Sequence, residues 1–232
     1  MDTSVMAPDQ ALEWSVVRVS GPDAFDYLQS QLSQDLEGLD AKGRWSLLLE
    51  PDGAVLTLCV VRVSGPDYEL VVERETGEAT LARLRRFHLR SECTLELRES
   101  VEGPFERVAQ MVEASWPGGR EFRAQLSPQS FGAHVVAAAV SFTKGCFTGQ
   151  ELVARLDARS ASVPWRLVHL EGPSLGRLQE VAHLKGPPGP QTVTTAVQRS
   201  GVVEALAIVH RTLMDPGALD EFADVRIITS TP

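Results

Sequence analysis

The octapeptide Val-Val-Arg-Val-Ser-Gly-Pro-Asp occurs twice, at residues 16–23 and 60–67, and each copy ends a β-branched run on a Gly-Pro-Asp break. The first copy runs into a helical pattern and the second into another strand, so the repeat is reused strand-to-turn chemistry. A solenoid needs roughly three or more stacked units at a fixed period, and no third copy exists.

Read outward from these two copies, the first 98 residues give the order β-α-β-β-β-α-β. Trp14 to Val19 reads as a strand, and Ala24, Phe25, Leu28 and Leu32 recur at helical spacing. Arg44 to Leu49 and Ala54 to Val63 flank Pro51-Asp52-Gly53, where Pro presets φ and Gly tolerates a positive one. Tyr68 to Glu73 follows as a strand, Leu81, Leu84 and Phe87 share a helical face, and Cys93 to Leu97 alternates. Beyond Glu102 the pattern predicts a strand around Arg107 to Glu113, the turn Trp116-Pro117-Gly118-Gly119, a helical or mixed run over Ser130 to Ala139, and a helix over Gln150 to Arg159. Trp165 to Leu170, Thr192 to Gln198, Val202 to His210 and Val225 to Thr229 read as strands of a small C-terminal β-barrel or curled sheet. Two units, 1–160 and 161–232, are expected.

Composition narrows the function classes. With 22 Lys+Arg against 31 Asp+Glu the net charge is −9, which repels phosphodiester backbones and anionic lipid surfaces, so neither nucleic acid nor membrane is an expected partner. No apolar stretch approaches the roughly 20 residues of a bilayer span, and Met1-Asp2-Thr3-Ser4 lacks the basic start of a secretory signal. A cytoplasmic location is expected. Cys59, Cys93 and Cys146 are irregularly spaced, and the five histidines form no short-spaced pair, so neither a disulfide framework nor a metal site is expected.

Chemistry concentrates in Lys144-Gly145-Cys146-Phe147-Thr148-Gly149-Gln150-Glu151. Thr148 and Glu151 fit a capping box before Leu152, Val153 and Leu156, which predicts a helix with Thr148 as its N-cap and Cys146 just outside it. A helix N-terminus and the nearby Lys144 would both favour a thiolate. Gly145 and Gly149 suit a loop wrapped against a ligand. A small buried cysteine at a helix entrance is the competing reading.

The same octapeptide, continued by Val153-Ala154-Arg155, resembles the K-G-C-[FY]-x-G-Q-E signature of the YgfZ-type folate-binding proteins, relatives of the glycine-cleavage T-protein (GcvT). Val17 to Leu32, Leu47 to Arg62 and Val197 to Arg211 are similar to further stretches of that family, so the resemblance covers nearly the whole chain. It implies an α+β, GcvT/YgfZ-like fold: ferredoxin-like parts around a central cavity, with a small C-terminal β-barrel. It also implies tetrahydrofolate or a related reduced folate as cofactor, and iron-sulfur proteins or their assembly factors as partners. Cys146 is then the key thiol, Lys144 tunes or positions it, and Gly145, Gly149, Gln150 and Glu151 shape a loop facing the folate. Val112-Glu113-Ala114-Ser115-Trp116-Pro117 is similar to the family segment whose Glu anchors the pterin, which makes Glu113 a cofactor-binding candidate. The family's Arg and Gly positions are occupied there by Met111 and Ser115.

Two other functions stay open on the residues: a T-protein-like aminomethyltransferase, and a folate-independent thiol-redox protein. Arg83, Arg85, Arg86, His88 and Arg90 could attract an anionic folate tail, although such a run more often forms a solvated helix face.

Overall fold

A computed structural model of the chain describes residues 5–158, 162–184 and 186–228. Met1 to Ser4, Arg159 and Thr229, on which some of the expectations above fall, lie outside the described residues. The elements are β1 (Val5–Met6), β2 (Trp14–Ser20), α1 (Ala24–Gln31), β3 (Arg44–Leu49), β4 (Val55–Ser64), β5 (Asp67–Glu73), α2 (Arg74–Phe87) and β6 (Thr94–Val101). A helical segment follows, comprising α3 (Val108–Glu113), α4 (Gly119–Phe122), a 3-10 turn (Pro128–Phe131), α5 (Ala133–Ala139) and α6 (Gln150–Ala158). The chain then forms β7 (Trp165–Gly172), α7 (Leu175–Ala182), β8 (Thr192–Arg199), β9 (Val202–His210) and β10 (Arg226–Ile228).

The repeated octapeptide acquires a spatial meaning in the first sheet, whose order is β3-β4-β5-β2-β6. Its two copies end β2 and β4 and flank β5 on either side in one register. Val16 and Val60 both face Val71, Val17 and Val61 both face Leu70, and Arg18 and Arg62 both face Glu69. Identical local sequence therefore supplies both neighbours of one central strand. The copies diverge where the chain must leave: Gly21, at φ +129, passes so close to the backbone of Glu92 and Cys93 that a side chain there would clash, whereas Gly65 makes an open turn.

Alternation sorts the residues of this sheet between two faces. Val17, Val19, Val61, Leu70 and Val72 pack against Leu28, Leu81 and Leu84 of α1 and α2, while Val16, Val71 and Trp14 cover the opposite face. The second sheet, β1-β8-β9-β7-β10, is antiparallel except for the parallel β1–β8 pair. Helix α7 covers it, with Leu178 and Val181 set on Val168, Val193 and Ala205. Phe122, Phe131, Val135, Phe147 and Val153 of the helical segment join Leu47 and Leu49 of the first sheet to Ile208 of the second.

Two expectations are corrected, the strand around Arg107 to Glu113 and the solvated place of Arg83. Residues 108–113 form α3 rather than a strand: Val108, Ala109, Met111 and Val112 are the buried ones, a helical spacing that so short a valine-bearing run does not reveal. Helices α4 and α7 were not expected, although Ser174 does cap α7 by accepting from the Arg177 amide at 3.3 Å. Of the two outcomes expected for the C-terminal strands, the structure has the sheet: it is five-stranded, and among the described residues no pairing joins its edge strands β1 and β10. Arg83 leaves the expected solvated face of α2 and is 3% exposed. Among the described residues no helix is long and apolar enough to cross a membrane.

Candidate functional site

The signature segment straps across the C-terminal end of α1. Lys144 Nζ donates to the carbonyls of Gln29, Leu32 and Gln34 at 2.7, 2.7 and 3.0 Å. Those three bonds use every donor an ammonium has, so none remains for a thiolate. Burial pushes Lys144 down to about 8, against the opposing pull of Asp35, and the group stays charged at neutral pH. Ser141 N donates to Ser33 O and Thr148 N to Ser30 O, which fixes both ends of the strap.

The expected Thr148 cap is also corrected. Helix α6 begins at Gln150, whose side-chain oxygen accepts from the Phe147 amide at 3.2 Å, while Thr148 Oγ1 donates to Gln31 Oε1 at 3.4 Å. The same Gln31 oxygen accepts from Arg83, which also donates to the Leu49 carbonyl. Arg83 is therefore a buried brace beneath the strap. Gly149, at φ +83, brings its Cα against β3, where a Cβ would lie 2.6 Å from the Glu50 carbonyl oxygen. Gly53 packs on Leu152 and on the Gly149 carbonyl, so the Pro51-Asp52-Gly53 turn and the signature meet in space.

Cys146 stands exposed on this strap, whereas Cys59 and Cys93 are buried. Gly145 is exposed with open space where a side chain would be, Gln150 is half-buried, and Glu151 points outward with Arg155 at 3.8 Å. The fold gives Cys146 access rather than a cation. One fast thiol equivalent per chain is expected with a water-soluble maleimide, abolished by Cys146→Ser. That substitution should change stability by no more than about 0.5 kcal/mol, as for other exposed positions. Labelling that persisted in the variant would contradict the assignment.

Glu113 lies apart from the strap. It ends α3 exposed, pairs with Arg199 at 3.2 Å, and borders a cleft with Pro8, Glu106 and Gln110 that contains no signature residue. Trp116 stacks between Trp45 and His134, at ring separations of 4.8 and 5.5 Å.

A more chemically distinctive site lies where β5 ends. A cavity of about 800 Å³ is lined by Glu73, Glu121, Met111, Arg120 and Thr195, with Arg74 between Glu13 and Glu99 at its edge. Glu121 is fully buried. It accepts from the Gly118 amide and from Thr195 Oγ1, both at 2.8 Å, and loss of water raises its carboxyl above the usual range. Glu73 accepts from the Gly119 amide at 3.2 Å, and desolvation together with repulsion from Glu121 pushes it up to about 8. Two neighbouring carboxyls in one dry niche share protons rather than both ionising.

The glycine pair makes this approach feasible. A side chain at Gly118 would run into the Glu73 carboxylate, and one at Gly119 into Glu75 and Thr76. Sequence reasoning read Gly118-Gly119 only as a turn and did not single out either glutamate. The available signal was Glu121 three residues after Gly118, the spacing at which a side chain returns to the first amide of a helix. At neutral pH a protonated carboxyl both donates and accepts, so the pair can meet a ligand edge that alternates N–H and N. Arg120 makes no ion pair among the described residues.

Comparison with known proteins defines the fold. The chain superposes on the glycine cleavage system aminomethyltransferase T from Bartonella henselae with a TM-score of 0.54 and 14% identity, covering 90% of this chain and 81% of that one. An uncharacterized protein of Haemophilus influenzae is 26% identical over 192 residues, 65% of this chain and 68% of the relative. No family model matches the chain.

Proposed function

We propose that the protein, which has the fold of an aminomethyltransferase T, binds a reduced folate such as tetrahydrofolate in the Glu73–Glu121 cavity. The observation that carries this reading is the carboxyl pair itself. An aminopyrimidine edge sets an amino N–H beside a ring nitrogen, and a carboxyl that keeps its proton in a water-poor niche accepts from the one and donates to the other. The cavity, at about 800 Å³, lies within the range of small-molecule sites. Arg120, at its rim, suits the anionic tail of the same ligand. In this reading Glu121 orients the ring, Glu73 holds or releases a proton beside it, and Thr195 fixes the Glu121 rotamer.

Calorimetric titration with tetrahydrofolate should give saturable binding, weakened about tenfold by Glu121→Gln, the loss that accompanies one mismatched buried hydrogen bond. A flat titration at millimolar ligand, or equal affinity in the variant, would remove folate from the account.

The exposure of Cys146 favours a second, finer reading: an accessory protein for iron-sulfur cluster assembly or repair, in which this thiol meets a partner protein. A single thiolate falls short of the set that cluster ligation usually uses, so the partner would supply the remaining ligands. The aminomethyltransferase alternative instead requires turnover on the folate. It predicts that Cys146→Ser keeps full activity, while the accessory reading predicts that the same variant fails to restore iron-sulfur enzymes in cells lacking the protein.

A further inference from the structure

A second cavity of about 480 Å³ lies between the 3-10 turn with α5 and the outer face of β7 and β10. It shares no lining residue with the carboxylate cavity. Phe131, Ala137, Leu167, Met214 and Ile227 give it an apolar wall. Three polar side chains, Ser115, His134 and His169, interrupt that wall, and the Ser115 hydroxyl and the His169 ring lack hydrogen-bond partners.

His169 is 5% exposed, and neither ring nitrogen makes a hydrogen bond. The Glu204 carboxylate faces Nε2 at 3.5 Å, and its charge opposes the effect of burial on the ring. Ser115 is 7% exposed, sits at φ +54, and its Oγ is likewise unpartnered. Its carbonyl is occupied by His134 Nε2 at 3.1 Å. Buried polar atoms without partners are rare, because each has lost water with nothing in exchange. His169 Nε2 is turned to Glu204, which leaves His169 Nδ1 and Ser115 Oγ, on two residues lining one apolar hole, as the atoms a ligand would satisfy.

The lining also defines the ligand's chemistry. Burial lowers the His169 pKa, so the ring is neutral and offers one donor and one acceptor. The Ser115 hydroxyl offers both as well. No lysine, arginine or carboxylate lines the cavity to hold an ion, which excludes a charged headgroup on desolvation grounds. Phe131 and the Met214 thioether favour a ring. We propose that this cavity binds a small, uncharged, two-ring aromatic molecule whose hydroxyl exchanges hydrogen bonds with His169 and Ser115.

The test uses 2-naphthol and naphthalene as probes of the full chain, read by calorimetry and by the ring resonances of His169. Saturable 2-naphthol binding that shifts those resonances is expected, with naphthalene about tenfold weaker. His169→Leu should remove that difference by weakening 2-naphthol alone. Ala137→Trp, at an exposed position of α5 on the cavity wall, should block both probes without disturbing the core. Saturating tetrahydrofolate should leave both isotherms unchanged, so this site stands or falls independently of the folate site. Equal affinities for the two probes in the natural chain, no saturation, or undiminished binding in Ala137→Trp would each overturn the proposal, and the last holds even if His169→Leu fails to fold.

Discussion

Replacing Lys144 by Met is expected to destabilise the protein by about 3 kcal/mol, roughly a 10 °C drop in Tm for a chain of this size. The butyl stem and its packing survive in methionine; the three short bonds to Gln29, Leu32 and Gln34 do not. The loss is concentrated because these carbonyls lie where α1 ends and cannot all find new donors beneath the strap. Each charge-assisted bond is worth more than a neutral one, but the three share a single ammonium and are not additive. Urea denaturation of the purified variant measures the effect. A change below about 1 kcal/mol would show the ammonium to be incidental to the strap and would return it to the role of a tuner of Cys146.

Glu73→Gln is expected to act in the opposite direction, and only in a defined pH range. A carboxyl whose folded pKa is about 8, against an ordinary value of 4.5, binds its proton more tightly in the native chain than in the unfolded one. Stability contributed by that group is greatest below pH 4.5 and falls as pH rises through the interval to about 8, beyond which the full cost persists. The cost is on the order of 3 kcal/mol, because Glu73 keeps some solvent contact that moderates it. Glu73→Gln should therefore leave Tm at pH 5 nearly unchanged, raise it by several degrees at pH 8.5, and flatten the profile between. Lys144 works in a separate window: with a folded pKa of about 8 against 10.5, its titration favours the folded state as pH climbs between those values. An unaltered profile in Glu73→Gln would mean that the carboxyl pair ionises normally, and the recognition chemistry assigned to it would lose its basis.

The strands whose residues alternate are legible in the sequence alone. Arg44 to Leu49 and Val202 to His210 fall within the bounds that pattern and turn signals assign them. So did the helix carrying Leu81 and Leu84, because one apolar face at helical spacing determines both its type and its orientation. The region from Glu102 to Thr143 was less legible, since four short helical pieces there owe their form to Phe122, Phe131 and Val135 wedging between two sheets. Local propensity says little about a segment of four to seven residues whose partners lie elsewhere in the chain.

The candidate site divides in the same way. The Lys-Gly-Cys-Phe-Thr-Gly-Gln-Glu string identified the strap and the exposed thiol, because close backbone approach at Gly149 and side-chain access at Cys146 are properties of consecutive residues. What Lys144 binds, why Arg83 is buried, and that Glu73 and Glu121 meet over Gly118 and Gly119 depend on residues 34 to 115 positions apart. By itself the sequence determined periodicity, turn chemistry and the twice-used strand-to-turn octapeptide, since each is set by neighbours along the chain. Only the tertiary structure decided which charges lose their water and which carboxyls share a cavity, because desolvation and Coulomb coupling act through space and depend on everything packed around them.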